Sequence, residues 1–174
     1  MASYFIKTYG CQMNVNDSEV LAGYLEKAGY QASPEPQDAD IILINTCSIR
    51  QRAEQKAKSF LGELKNIKKV RPDVKIGVCG CMASREKTAI FEELPFVDLV
   101  LGPRNLAGFD QILSRLEAGE RILYVDNELP VPDEIDLPMK RTSGVQGWVT
   151  VMYGCDHNCT YCVVPSTRGR EVSR

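Results

Sequence analysis

Ile41-Ile42-Leu43-Ile44 is an unbroken apolar run, the pattern of a strand buried on both of its faces. Outward from it, Tyr4–Thr8 reads as an earlier strand stopped by Gly10, and Val74–Val78, Val97–Leu101 and Arg121–Val125 as later ones. Helical spacing fills the intervals. Asn14, Asn16 and Asp17 are capping types ahead of the stripe Val20, Leu21, Tyr24, Leu25 and Ala28, which Gly29 ends. Ala53, Ala57, Phe60, Leu61 and Leu64 mark a second helix, Ser84–Leu94 a third closed by Pro95, and Leu106, Phe109, Leu113 and Leu116 a fourth. This alternation predicts an α/β fold over residues 1–125, a parallel sheet with helices on both faces.

Beyond it the character changes. Residues 126–146 carry Pro130, Pro132 and Pro138 among acidic residues and read as a linker. Gly147-Trp148-Val149-Thr150-Val151-Met152-Tyr153 reads as a new strand leading into Gly154-Cys155-Asp156-His157-Asn158-Cys159-Thr160-Tyr161-Cys162. The residues after Cys162 are too few for a barrel or a second sheet. Residues 147–174 are therefore expected to open a second domain in a fragment that stops soon afterwards.

Composition sets bounds without naming a function. With 174 residues, 44% hydrophobic and 25% charged, the chain suits a soluble globular protein with one sizeable core. A net charge of −2 advertises no global nucleic-acid field. The start lacks the basic and apolar regions of a signal peptide, and no apolar run approaches the length of a membrane span. A cytoplasmic location is expected. There, clustered cysteines are more often metal ligands than disulfides, and this chain has seven.

Three of them, Cys155, Cys159 and Cys162, form C-x3-C-x2-C. Three close thiolates suit a cubic iron–sulfur cluster whose fourth iron stays open, whereas tetrahedral zinc wants a fourth ligand. Cys11, Cys47 and Cys81 follow the first, second and third predicted strands, each interval matching one β-α-β step. The carboxyl ends of parallel strands share one edge, where α/β proteins place ligands, so these three are expected to converge as a second metal site. Cys79 shares a strand face with Cys81 and is its rival. Because Gly80-Cys81 marks the loop, Cys81 is taken as the ligand and Cys79 as a packed thiol.

Gly154 to Cys162, with an aromatic before the last cysteine, resembles the signature of radical S-adenosylmethionine (SAM) enzymes. Thr8-Tyr9-Gly10-Cys11-Gln12-Met13-Asn14, Asp17-Ser18-Glu19, Asn45-Thr46-Cys47-Ser48-Ile49-Arg50, Gly80-Cys81-Met82-Ala83, Val163-Val164-Pro165 and Arg168-Gly169-Arg170-Glu171 extend the likeness in order and spacing. Together they resemble the methylthiotransferase family of radical SAM enzymes. The resemblance implies an amino-terminal α/β domain, then the first strand and cluster loop of a radical SAM partial (β/α) barrel. It implies two 4Fe-4S clusters, one on Cys11, Cys47 and Cys81 and one on Cys155, Cys159 and Cys162, with SAM bound at the latter. It implies a transferase that inserts a methylthio group by way of a 5′-deoxyadenosyl radical, a fragment alone being inactive.

Among the family's branches, Gly-Cys-Gln-Met-Asn and Asn-Thr-Cys-Ser-Ile-Arg are most similar to the branch acting at carbon 2 of N(6)-isopentenyladenosine beside the tRNA anticodon. The alternatives are threonylcarbamoyladenosine in tRNA, a ribosomal protein, or a non-catalytic iron–sulfur or zinc module. The implied partners are a tRNA, an electron donor and a sulfur source, with no membrane and a monomeric state. Tyr161 either flanks SAM or packs beside the loop. Arg168, Arg170 and Arg174 either contact phosphate or, for Arg170 and Glu171, form an ion pair. Lys65, Lys68, Lys69 and Arg71 read as a solvated helix end, His157 as a loop residue rather than a base, and Trp148 as core rather than a base platform.

Overall fold

A computed structural model describes residues 1–48, 51–129 and 137–173. Ile49, Arg50, Pro130, Pro132 and Arg174, which the sequence singled out, lie outside the described residues. Six strands form one parallel sheet: β1 (Ser3–Tyr9), β2 (Gln31–Ala32), β3 (Ile41–Thr46), β4 (Lys75–Cys79), β5 (Leu99–Leu101) and β6 (Ile122–Tyr124), in the order β2-β1-β3-β4-β5-β6. The α/β expectation holds. All six residues of β3 are buried, and the side-chain alternation of a strand explains why. Ile41 and Leu43 enter one core with Leu21 and Leu25 of α1 (Gln12–Lys27) and Phe109 and Leu113 of α5 (Phe109–Glu117). Ile42 and Ile44 enter the other, with Leu61 and Leu64 of α2 (Gln51–Val70), Met82 of α3 (Cys81–Glu86) and Ile90 of α4 (Ala89–Glu93).

The strand order places the topological switch between β1 and β3. From β1 the chain steps outward to β2, then returns across to β3 and continues the other way. Loops leaving the carboxyl ends of those two strands diverge and leave a crevice, the usual ligand position in an open α/β sheet. The six-residue register from Tyr4↔Ile41 to Tyr9↔Thr46 sets the two loops level.

Local details depart from the sequence reading. α1 starts earlier than its polar residues suggest, with Cys11 as N-cap. Asn14 closes the capping box from the N3 position, its side chain accepting from the Cys11 N–H, while Asn16 and Asp17 lie inside the helix; all three are buried. The helix expected over Ser84–Leu94 is two: α3 starts at Cys81, and Lys87, the one described non-glycine residue at positive φ (47°), breaks it before α4. The edge strand β2, of only two residues, was not foreseen.

The strand expected over 147–153 is reduced to β7 (Met152–Tyr153), paired antiparallel with β8 (Val172–Ser173). Val149 and Val151 are exposed, whereas Tyr153 is buried. Between 126 and 146, Leu137 and Met139 pack against the α1–α5 core. The buried Glu19 carboxylate accepts from the Thr142 N–H (2.9 Å), the Thr142 hydroxyl (2.7 Å) and Arg141 (2.8 Å). Among the described residues no helix is long and apolar enough to cross a membrane.

Candidate functional site

Cys11, Cys47 and Cys81 meet at the carboxyl edge of the sheet, at and beside the switch point. Cys11 follows β1, Cys47 follows β3 and Cys81 opens α3 directly after β4. The Cys47 N–H donates to the Tyr9 carbonyl at 2.9 Å, extending the β1–β3 ladder to the cysteine itself. The Cys47 thiol is hydrogen-bonded to both Cys11 and Cys81. Cys47 is thus the residue through which the other two are linked.

A buried amide network holds this geometry. Asn14 Oδ1 accepts from the Cys11 N–H at 3.2 Å and from its thiol at 3.4 Å. Asn14 Nδ2 donates to Asn45 Oδ1 (3.0 Å), and Asn45 Nδ2 donates to the Asn14 carbonyl and to Ser18 Oγ, both at 2.9 Å. Ser18 in turn shares a 2.8 Å bond with Thr8. These residues tie α1 to β1 and β3 under the thiols, and the sequence reading gave them no role beyond caps and motif. The available signal was Asn45-Thr46, polar residues at the end of a strand that is otherwise wholly apolar.

Charge is arranged asymmetrically. The hydrogen bond from Cys47 pulls the Cys81 thiol down to about 6; burial opposes this and the nearby Arg168 guanidinium assists it. Cys11 is pushed up to about 12 by its own bond with Cys47 and by burial. Cys79 is wholly buried in the α1–α5 core and driven up by desolvation, as suits a packed thiol. Cys81 thus stays ionised in the folded chain between about pH 6 and about 9, a window in which the unfolded thiol is still protonated. An acid depressed on folding adds stability that rises with pH through that window and is lost below about 6. The metal-free chain is expected to show a thiolate absorbance step near pH 6 that Cys81→Ser removes; a step first seen near pH 9 would contradict the geometry.

Arg168, weighed from sequence as a phosphate contact near the site, is turned inward. Its side chain is 5% exposed, and Nη2 donates to Asp17 Oδ2 at 2.7 Å. Arg104 Nη1 donates to the carbonyls of Arg168 and Arg170, both at 3.1 Å, fixing the turn that carries it. The Lys-rich end of α2 is likewise not simply solvated: Lys68 pairs with Asp98 (2.8 Å) and Arg71 with Asp40 (2.8 Å).

The second trio lies on the surface. Cys155 and Cys162 are half-buried and Cys159 is exposed. The loop is closed by Cys155 N–H donating to the Gly169 carbonyl (3.2 Å) and Cys162 N–H to the Cys159 carbonyl (3.1 Å). A cavity of about 430 Å³ opens beside it, lined by Cys155, Asp156, Asn158, Pro165, Gly169 and Arg170. Tyr161 is 91% exposed and does not pack beside the loop. His157 is exposed, and Trp148, taken from sequence as core, is only half-buried and joins neither core.

Among the described residues no three cysteine, histidine or carboxylate side chains stand in ready metal-ion geometry. Ligation of a metal at the buried trio would require all three sulfurs as thiolates. The donor set is nevertheless soft, three sulfurs with one already ionised, which suits iron–sulfur or zinc rather than a hard cation. Cofactor-binding residues thus fit in chemistry at Cys11, Cys47 and Cys81. Of the second trio, Cys155 alone lines the neighbouring cavity.

The sequence profile of the uncharacterized protein family UPF0004 matches residues 3–102. The chain is also similar to curated proteins named tRNA-2-methylthio-N(6)-dimethylallyladenosine synthase. It is 47% identical to that of Hydrogenobaculum sp. (strain Y04AAS1) over 98% of this chain and 40% of the relative. Identity to that of Carboxydothermus hydrogenoformans is 50% over 99% of this chain and 40% of the relative. For Staphylococcus aureus (strain JH9) it is 47% over 99% of this chain and 34% of the relative. The chain therefore spans about 40% or less of the length of these relatives. With its profile covering β1 through β5 and both of the site's polar strand ends, this chain belongs to the UPF0004 family.

Proposed function

We propose that this chain is part of a tRNA methylthiotransferase that installs a methylthio group at carbon 2 of N(6)-isopentenyladenosine beside the anticodon. The observation that carries the reading is the junction of Cys47 with Cys11 and Cys81 at the switch point, in a chain with a second, independent thiol trio. Similarity across nearly the whole chain to relatives with that printed name supports the substrate branch.

In this reading Cys11, Cys47 and Cys81 hold one 4Fe-4S cluster. Cys155, Cys159 and Cys162 hold the other and bind SAM. When bound, these groups supply an electron for cleaving SAM and a sulfur for insertion. The chain's own part is to present the ligands and keep them dry. Asn14 and Asn45 orient Cys11, Cys81 arrives already ionised, and Asp17 with Arg168 closes the floor. A radical route suits the target, since an aromatic C–H at adenine carbon 2 is too inert for acid–base chemistry. An anticodon-loop base also meets the preference of RNA readers for unpaired, unstacked targets.

Residues 1–125 form the first domain in this proposal, 126–146 connect, and 147–174 begin the SAM-binding domain. The parent enzyme works in the cytoplasm as a monomer, served by an electron donor and a sulfur source. Anaerobic reconstitution tests the site. About eight iron and eight sulfide per chain, four of each per cubane, is the expected result, and stoichiometric zinc in their place would establish a structural module instead. Mass spectrometry of tRNA from a strain lacking the full-length gene tests the substrate. The expected result is loss of 2-methylthio from isopentenylated adenosine, and loss from a ribosomal protein instead would refute the branch.

A further inference from the structure

The buried trio has a neighbour that its thiols do not account for. Arg168 belongs to α6 (Val164–Arg168), the short helix reached directly after Cys162. It is carried by the segment of the second trio and spends its side chain at the first. One nitrogen is held by Asp17 of α1. The guanidinium also sits beside the Cys81 thiol, close enough to act on its charge and to share a side-chain hydrogen bond. Nη1 is fully buried and has no hydrogen-bond partner of its own among the described residues.

A buried guanidinium N–H without an acceptor is costly, on the order of the desolvation of a charged donor. The described residues supply no acceptor to that nitrogen. A cluster seated on the three cysteines adds inorganic sulfide, and with it an acceptor, to the pocket. Arg168 is pinned in the required orientation before that happens: Asp17 fixes one nitrogen and Arg104 fixes the backbone carbonyl.

We propose that Arg168 is a positioning residue of the Cys11–Cys47–Cys81 site, supplying from the Cys155–Cys162 segment a buried cationic N–H donor to sulfur bound there. This rests on the cluster reading above. A cationic donor to cluster sulfur favours the reduced, more negative state and raises the reduction potential. It also makes that potential depend on a segment belonging to the other trio, so the two sites are electrostatically coupled by one side chain.

The test is a redox titration, followed by electron paramagnetic resonance, of the anaerobically reconstituted chain. A Cys155→Ala/Cys159→Ala/Cys162→Ala background isolates the buried site. Arg168→Lys keeps the charge opposite Asp17 and removes the fork. The paired change Asp17→Asn/Arg168→Met removes both charges, so that no carboxylate is stranded. Both are expected to shift the midpoint potential to more negative values, the lysine variant by less, with iron content retained in the lysine variant. An Arg168→Lys potential equal to that of the background chain overturns the inference, whatever the double variant does. A background chain that takes up no iron overturns the cluster reading itself.

Discussion

Asp17→Ala is expected to lower the unfolding free energy of the metal-free chain by about 3–5 kcal/mol, the range for breaking a buried ion pair from one side. Asp17 is 2% exposed and Arg168 5%, so water cannot take over the role of the lost partner. Removing the carboxylate leaves the guanidinium with only the Cys81 sulfur as a charged neighbour. The cost is that of a buried charge stripped of its carboxylate, not the net worth of the pair. A double change to apolar residues of similar volume is expected to be much milder for the same reason. The exposed pair Arg115–Glu120 has a comparable 2.8 Å separation but side chains 56% and 49% exposed, and Arg115→Ala is expected to change stability by less than about 1 kcal/mol. Urea unfolding followed by circular dichroism separates these cases. An Asp17→Ala midpoint matching that of Arg115→Ala would show that the pocket is wet, and would remove the basis for Arg168 acting on the thiols.

The contrast between those pairs also shows where sequence reading stops. Ile41-Ile42-Leu43-Ile44 announces a strand covered on both faces because burial needs only composition at period two, and the α/β fold follows from it. Cys11, Cys47 and Cys81 were legible together because strand-to-strand periodicity brings like positions to one sheet edge. Arg168 was not. In Arg168-Gly169-Arg170 nothing distinguishes the arginine that is buried from the one that is exposed, since its acceptor, Asp17, is 151 positions away. Asn14 was legible only in part. As a capping type it points to a helix start, and it does cap the Cys11 N–H from the first turn, but its second bond, to Asn45 from another strand, has no local mark. The break at Lys87 carries no sequence mark at all, because lysine is an ordinary helix former. Met82 and Ile90, on either side of it, enter one core from two short helices. Local rules identify elements; the partners that give polar residues their roles are fixed by tertiary placement.

Two glycines connect that placement to metal content, and they predict separable losses. Gly80 has φ of 88°, and a Cβ there would strike Asn45 Oδ1 and stand 2.8 Å from the Thr46 carbonyl. Both obstacles belong to the strand end that positions Cys47, so Gly80→Ala must displace Cys81 from Cys47 or pull β3 away from β4. Left-handed strain adds roughly 1–2 kcal/mol. Gly154 has φ of 66°, and its Cβ would overlap the carbonyls of Gly169 and Arg170, the turn against which Cys155 closes its loop. Neither obstacle is the end of a flexible side chain that can swing aside. After anaerobic reconstitution each alanine variant is expected to retain about half the wild-type iron, one cubane of four, with the surviving cluster differing between the two. Gly62→Ala is the control: it is helical, with nothing within 4 Å of the new Cβ, and is expected to keep all the iron while gaining about 0.5–1 kcal/mol in stability. Full iron in Gly80→Ala would mean that the Cys81 approach to Cys47 is not what holds metal at this edge. Iron lost completely from either variant would mean that the two trios load as one unit rather than independently. In that event Arg168, the side chain they share, would be the first place to look for the coupling.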